Sequence, residues 1–231
     1  MNTAETQHAH GGLAFDRTVQ ARRSVRAFRP DPVPHELLAH IFTLAARAPS
    51  NCNTQPWLTM VASGACCERL RAGIFEACSQ GQFSMDFPYE GRYTGVYRER
   101  QFDAADQLYR PMGIERADKP ARGAAFMRNF SFFSAPHVAF LFLPDWAGIR
   151  ESADLGMYAQ TLMLAFAAHG LASCPQTALS FAADLVREEL GVAAEYKLLF
   201  GMSFGYEASG DPANRCRIPR ADLAAGARFV D

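Results

Sequence analysis

The longest apolar stretch, Leu155 to Ala168, sets the strongest limit on what this chain can fold into. It lies between Asp154 and His169, and with Gly170 behind it reads as the body of a long helix, Glu151 to His169, closed by a glycine C-cap. The stretch falls well short of the roughly 20 residues that a bilayer span requires, so it is expected to be a buried helix inside a protein core. The other apolar runs are shorter. Trp57 to Ala62, ending at Ser63-Gly64, and Pro136 to Leu143, ending at Pro144-Asp145, read as buried strands. Lys197 to Gly205 gives a third strand, and Ala227 to Val230 can supply a short terminal one. Over residues 34–48, Leu37, Leu38, Ile41, Phe42 and Ala45 form a helical stripe that begins at Pro34 and stops before Pro49. This order of elements does not repeat as βαβ units, so a doubly wound parallel sheet is not required. Neither a Gly-x-Gly-x-x-Gly nor a Gly-x-x-x-x-Gly-Lys tract occurs, which argues against the phosphate cradles of those folds.

A chain of 231 residues suits one domain. We expect a flexible N-terminal tail over residues 1–14 and a single domain over 15–231, with a helical or lid insertion at about 79–120. That insertion interleaves Phe83, Phe87, Tyr89, Tyr93, Tyr97, Phe102 and Tyr109 with Arg92, Arg98, Arg100 and Arg110. A net charge of −1 speaks against a nucleic-acid partner, since such domains carry a strong basic excess. Met1 to Gly12 is polar and lacks the apolar core of a signal peptide, and no stretch is long enough for a membrane span, so a cytoplasmic protein is expected. The six cysteines show no CxxC spacing and read as free thiols.

Two tracts carry the chemistry. Arg22-Arg23-Ser24-Val25-Arg26-Ala27-Phe28 packs cations and a hydroxyl together, and arginine forks with a serine hydroxyl suit a phosphate. Ala48-Pro49-Ser50-Asn51-Cys52-Asn53-Thr54-Gln55-Pro56-Trp57 packs amides into a proline-bounded loop, and Asn and Gln suit the donor–acceptor edge of a heterocycle. A mononucleotide satisfies both. A metal site is not expected: His35 and His40 stand five residues apart, which at about 100° per residue points their imidazoles about 140° apart, too far for one zinc ion. Ser24, Ser50 and Ser173 lie in no Gly-x-Ser-x-Gly turn, so no protein nucleophile stands out. That absence suits a protein whose cofactor does the chemistry.

Arg22, Arg23, Ser24, Arg26 and Phe28, followed by Pro49, Ser50, Asn53, Gln55, Pro56 and Trp57, resemble the two N-terminal signatures of the nitroreductase family of flavin enzymes. Gly170-Leu171-Ala172-Ser173-Cys174-Pro175-Gln176-Thr177 resembles the family segment that faces the flavin ring. Asn214-Arg215-Cys216-Arg217-Ile218-Pro219 resembles the second basic phosphate contact. The four tracts occur in the family's order and span nearly the whole chain.

The resemblance implies an α+β fold with a mostly antiparallel central sheet flanked by helices. It also implies an intertwined homodimer, completed by the partner's C-terminal segment. The implied cofactor is FMN, with NADH or NADPH as electron donor and a small aromatic oxidant, a nitroaromatic or quinone, reduced in alternating half-reactions through flavin N5. By the same resemblance Arg22, Arg23, Ser24, Arg215 and Arg217 hold the phosphate, and Arg26 lies near the pyrimidine end of the ring. Pro49, Ser50, Asn51 and Asn53 reach the flavin of the partner subunit, and Asn129 bonds the pyrimidine edge. Pro175, Gln176 and Thr177 run beside the ring, with the backbone of Thr177 and Ala178 toward N5. Many members have Glu then Gly where this chain has Thr177 and Ala178, a departure that leaves only a backbone donor there. The aromatic insertion resembles nitrobenzoate-type and nitrophenol-type members. A reductive dehalogenase of the same fold, or a flavin-binding protein without turnover, are the alternatives.

Overall fold

Strand β2, His137–Pro144, is the centre of the fold, and its side chains explain why the sequence shows an apolar run there instead of an alternating one. In the computed structural model, which describes residues 14–230, Val138, Phe140 and Phe142 point into one hydrophobic cluster with Phe130, Phe132 and Leu179. The residues between them, Ala139, Leu141 and Leu143, point into a second with Leu155, Phe166 and Phe204. Successive side chains of a strand leave on opposite faces, so a strand covered on both must be apolar throughout.

Helix α1 covers residues 14–21 and α2 covers His35–Ala45; β1 follows at Leu58–Ser63 and α3 at Gly64–Ser79. Helices α4, Gly95–Tyr109, and α5, Lys119–Met127, precede β2. After it come α6, Ile149–Ala168, β3, Ala172–Gln176, α7, Ala183–Leu190, and β4, Tyr196–Gly205. The sheet order is β1-β2-β4-β3 and every adjacent pair is antiparallel, as the α+β expectation required. Gly201 lets the turn after β3 close onto β4: a Cβ there would lie 2.6 Å from Leu179 Cδ1. The tail expected over residues 1–14 lies, except for residue 14, outside the described residues.

Three expectations need correction. Helix α6 is buried on one face only. Leu155, Tyr158, Ala159, Leu162, Ala165 and Phe166 are covered, whereas Met157 is 41% exposed and Gly156 and Gln160 are open. Residues 172–176 form a strand that was not among those expected, because Pro175 and the short run hide the period-two pattern. Residues 227–230 form no strand, and Phe229 and Val230 are among the most exposed apolar side chains. A strand exists only where a free edge pairs with it, and this segment meets none among the described residues.

The entry into β2 is unusual. Phe132, Phe133 and Ser134 all have φ between 52° and 63°, the left-handed region, although none is glycine. Arg71 holds this turn from outside, donating to the carbonyls of Ser131 and, at 2.8 Å, Ala135. His137 follows, 3% exposed and stacked on Phe204. Its Nε2 accepts the Val33 N–H at 2.9 Å, which leaves the proton on Nδ1, 2.6 Å from Ser63 Oγ. Burial holds the imidazole below the ordinary histidine pKa.

Candidate functional site

Three of the four sequence tracts meet at the β3 edge of the sheet. Ser24 makes a parallel bridge to Ser173, and Val25 N–H donates to Ser173 O at 3.0 Å. The buried Asn214 side chain accepts from Arg26 N–H at 2.8 Å and donates to Ala27 O and Ala208 O at 2.9 Å. The 22–28 segment is therefore fastened between residues 172–176 on one side and 207–217 on the other. Backbone bonds and the Asn214 amide do the fastening, while Val25, Ala27 and Phe28 are buried.

A cavity of about 860 Å³ opens here, lined by Arg22, Arg23, Ser24, Arg26, Gln160, Arg217 and Arg220. Arg23 pairs with Glu207, but its Nη1 is buried without a hydrogen-bond partner. Arg22, Arg26, Arg217 and Arg220 take part in none of the ion pairs among the described residues. Burial, with the nearby Arg220 guanidinium, lowers the Arg22 pKa. Cations this close without a counter-ion repel one another, and a buried donor left unmade costs about 1–3 kcal/mol. A phosphate dianion supplies both the charge and the acceptors, so the residues present fit the phosphate end of a mononucleotide.

The tract near the C-terminus divides. Arg217 faces this cavity, its Nη1 held by Asn214 O at 2.8 Å, whereas Arg215 is exposed and does not line it. Arg220, which no sequence argument singled out, takes part instead; its only sequence signal was one more arginine three residues past a recognised one. Arg26 lines the same cavity as Arg22 and Ser24.

A second cavity, of about 410 Å³, is lined by Phe83, Met85, Tyr89, Phe126, Asn129, Phe181 and residues 175–178. Here Asn129 and the β3 tract come together. The buried Gln176 side chain is spent inside the fold: Nε2 donates to Asn129 O at 3.0 Å and to its Oδ1 at 3.3 Å, and Oε1 accepts from Ser203 at 2.5 Å. Gln176 thus aims Asn129 and leaves its own backbone toward the cavity. Residues 83–89 form an aromatic wall pinned to the body by a Ser84–Ala182 bridge. Asp86 adds to the pinning, bonded to Arg187 at 2.5 Å and to Leu198 N–H at 2.8 Å. Helix α4, in contrast, has no buried residue, and Tyr97 is 64% exposed.

Pro49, Ser50, Asn51 and Asn53 line neither cavity. They sit on an open loop against the N-terminal half of α6, where Asp154 Oδ2 accepts Asn51 N–H at 3.0 Å. The cysteines are all unpaired, and burial raises the Cys174 thiol to about 11, so it is protonated at neutral pH.

An arginine-rich cavity that fits an anion, and an aromatic cavity bordered by the end of β3, define an α+β protein with separate places for a phosphate end and a planar group. Residues 19–206 match the Nitroreductase family, and the chain belongs to that family. It is 48% identical over 217 residues to nitroreductase NfnB of Mycolicibacterium smegmatis, covering 94% of this chain and 92% of that one. It is 33% identical to a 4-nitrobenzoate reductase of Pseudomonas putida, covering 92% and 93%. Among solved structures it is similar to the FMN-dependent nitroreductase NfnB from Mycobacterium smegmatis in complex with NADPH. That match has a TM-score of 0.92 at 47% identity, over 95% of this chain and 99% of that one. Among the described residues, no helix is long and apolar enough to cross a membrane.

Proposed function

We propose that the protein is an FMN-dependent NAD(P)H oxidoreductase that reduces nitroaromatics or quinones, acting as a homodimer in the cytoplasm and folding as one domain over residues 15–231. The observation that carries this reading is the cluster of arginines that have no counter-ion among the described residues, beside residues 172–178, together with the nitroreductase relatives. Arg22, Ser24, Arg217 and Arg220 would hold the phosphate. Arg23 contributes its free Nη1. Arg26 brings a cation that favours negative charge on the reduced ring. Bound FMN would supply the two-electron redox chemistry. Asn129, aimed by Gln176, offers an amide to the ring edge, and the Thr177–Ala178 backbone closes the other side. Phe83, Tyr89 and Phe126 provide aromatic faces for a planar oxidant and exclude water around it.

The homodimer is supported by large apolar side chains that stay exposed among the described residues: Met157 on the open face of α6, and Phe229 with Val230. Neither a dehalogenase nor a flavin carrier without turnover is the reading that the relatives favour.

Purified protein is expected to be yellow, to carry about one FMN per chain, and to oxidise NADPH or NADH when a nitroarene or quinone is added. A charge-assisted hydrogen bond is worth about 1.5–3 kcal/mol, so Arg22→Ala or Arg217→Ala should each weaken FMN binding about ten- to a hundredfold. If both variants keep their flavin through dialysis, the phosphate assignment fails.

A further inference from the structure

The loop between α2 and β1 is strained where no core supports it. Cys52, Asn53 and Gln55 have φ of 50°, 57° and 47°, and none is glycine. All three are exposed. Residues in this region persist only when their surroundings over-determine them. Within the loop, Ser50 Oγ accepts Gln55 N–H at 2.9 Å and Ser50 O accepts Asn53 N–H at 3.0 Å. These bonds shape the turn but do not fix it to the molecule.

What fixes it is one face of α6. Asp154 and Tyr158 are four residues apart, so they stand one above the other on the helix surface. Both are buried, at 4% and 3% exposure. Asp154 takes the entry of the loop through Asn51 N–H. Tyr158 takes the exit: Trp57 stacks on its ring at 4.8 Å between centroids and 16° between planes, and Thr59 Oγ1 donates to its hydroxyl at 3.2 Å. Among the described residues Asp154 has no cationic partner, and a carboxylate buried with so little compensation costs stability. An apolar side chain would pack there more cheaply but could not hold the Asn51 amide.

We propose that Asp154 and Tyr158 are positioning residues: together they clamp both ends of the 50–57 loop and preset its left-handed turn, so that Asn51 and Asn53 are presented in one conformation to the cofactor held by the partner subunit. The proposal rests on the FMN and homodimer readings above. A loop clamped before the ligand arrives has less ordering entropy to lose on binding, so the clamp acts on affinity through preorganisation and touches no ligand itself. The two anchors differ in kind. Asp154 needs only an acceptor at Oδ2, whereas Tyr158 needs its ring more than its hydroxyl.

The test uses the full-length protein, stripped of flavin and titrated with FMN, together with hydrogen exchange of the flavin-free protein over residues 50–59. Asp154→Ala is expected to speed exchange of the Asn51 amide and its loop neighbours and to weaken FMN about tenfold, the size of one hydrogen bond to a charged acceptor. Asp154→Asn keeps an acceptor and should recover most of both. Tyr158→Phe, which keeps the stack, should loosen only the Thr59 end and change FMN affinity less than threefold. If Asp154→Ala does not fold, the Asn variant carries the test: as loose and as weak as a loop-scrambling change such as Asn51→Pro, it overturns the clamp; close to wild type, it supports it. Wild-type exchange at Asn51 as fast as in a free peptide also overturns it. If wild type binds FMN and Asp154→Ala binds it equally tightly, the clamp is wrong while the cofactor reading stands. If wild type binds no FMN at all, the cofactor reading falls first, and the exchange data alone report whether Asp154 holds the loop.

Discussion

Among the described residues, two segments hold non-glycine residues in the left-handed region, and they are held in opposite ways. Phe132 to Ser134 sits in the core: Phe132 is fully buried, Phe133 is 4% exposed, Arg71 bonds the carbonyls on either side, and β2 begins three residues later. Cys52 to Gln55 sits at the surface, held by one carboxylate and one stacked ring. In the first, the strain is offset by apolar burial, and the turn serves to launch the central strand. In the second, no burial offsets it, and the loop's own bonds with the α6 contacts hold the conformation. Left-handed backbone inside a core is a matter of topology; on an exposed loop it points to recognition.

The sharpest way to break this contrast is to weaken each segment and compare stabilities. Phe132→Ala empties a fully buried aromatic site and should cost about 3–5 kcal/mol in denaturant unfolding, with the slope of the transition unchanged. A loss under about 1 kcal/mol would mean that the core does not hold the turn.

The junction can also be probed by pH. His137 is held neutral at the start of β2, with its pKa lowered by burial, so the unfolded chain binds the proton more readily. Its contribution is present above the unfolded value near 6.5 and is lost as pH falls below it toward the lowered folded value, with a slope of at most about 1.4 kcal/mol per pH unit. His137→Gln retains a donor and an acceptor without titrating in this range, so its stability should fall less than that of wild type between pH 7.5 and 5.5. Equal slopes would assign the acid sensitivity to other groups.

The smallest expected effect is at the surface loop. Cys52→Gly relieves about 1–2 kcal/mol of left-handed strain but gives back about 0.5–1 kcal/mol in chain entropy, so the net gain should stay below about 1.5 kcal/mol. A marked loss of stability would show that Cys52 is anchored by more than its neighbours in the loop.

Much of this was legible in the residues. The apolar runs located β1, β2 and β4 to within a residue or so, the stripe from Leu37 to Ala45 located α2, and Gly170, at φ 74°, closed α6 as a C-cap should. The tracts of Arg22–Phe28 and Gly170–Thr177 marked segments that do meet. Other features left no such mark. Gln176 reads as a ligand-facing amide until Ser203 and Asn129 are seen to consume it. Arg215 and Arg220 are equally plausible cations in the sequence, and only the path of the chain after Asn214 turns one outward and the other in. Asp154 looks like the polar flank of an apolar helix, not like the anchor of a loop a hundred residues earlier.

By itself the sequence determined the identity and rough limits of the main elements, the abundance of cations near both ends, and membership of a family. These follow from periodicity, turn chemistry and residue type, which act within a few positions of the chain. Only the tertiary structure decided which arginines converge, which face of α6 stays open, where the backbone is forced into the left-handed region, and that residues 227–230 find no strand partner among the described residues. Those outcomes depend on register and packing between segments 103 to 188 residues apart, where the energy of any one position is set by its neighbours in space and not by its neighbours in sequence.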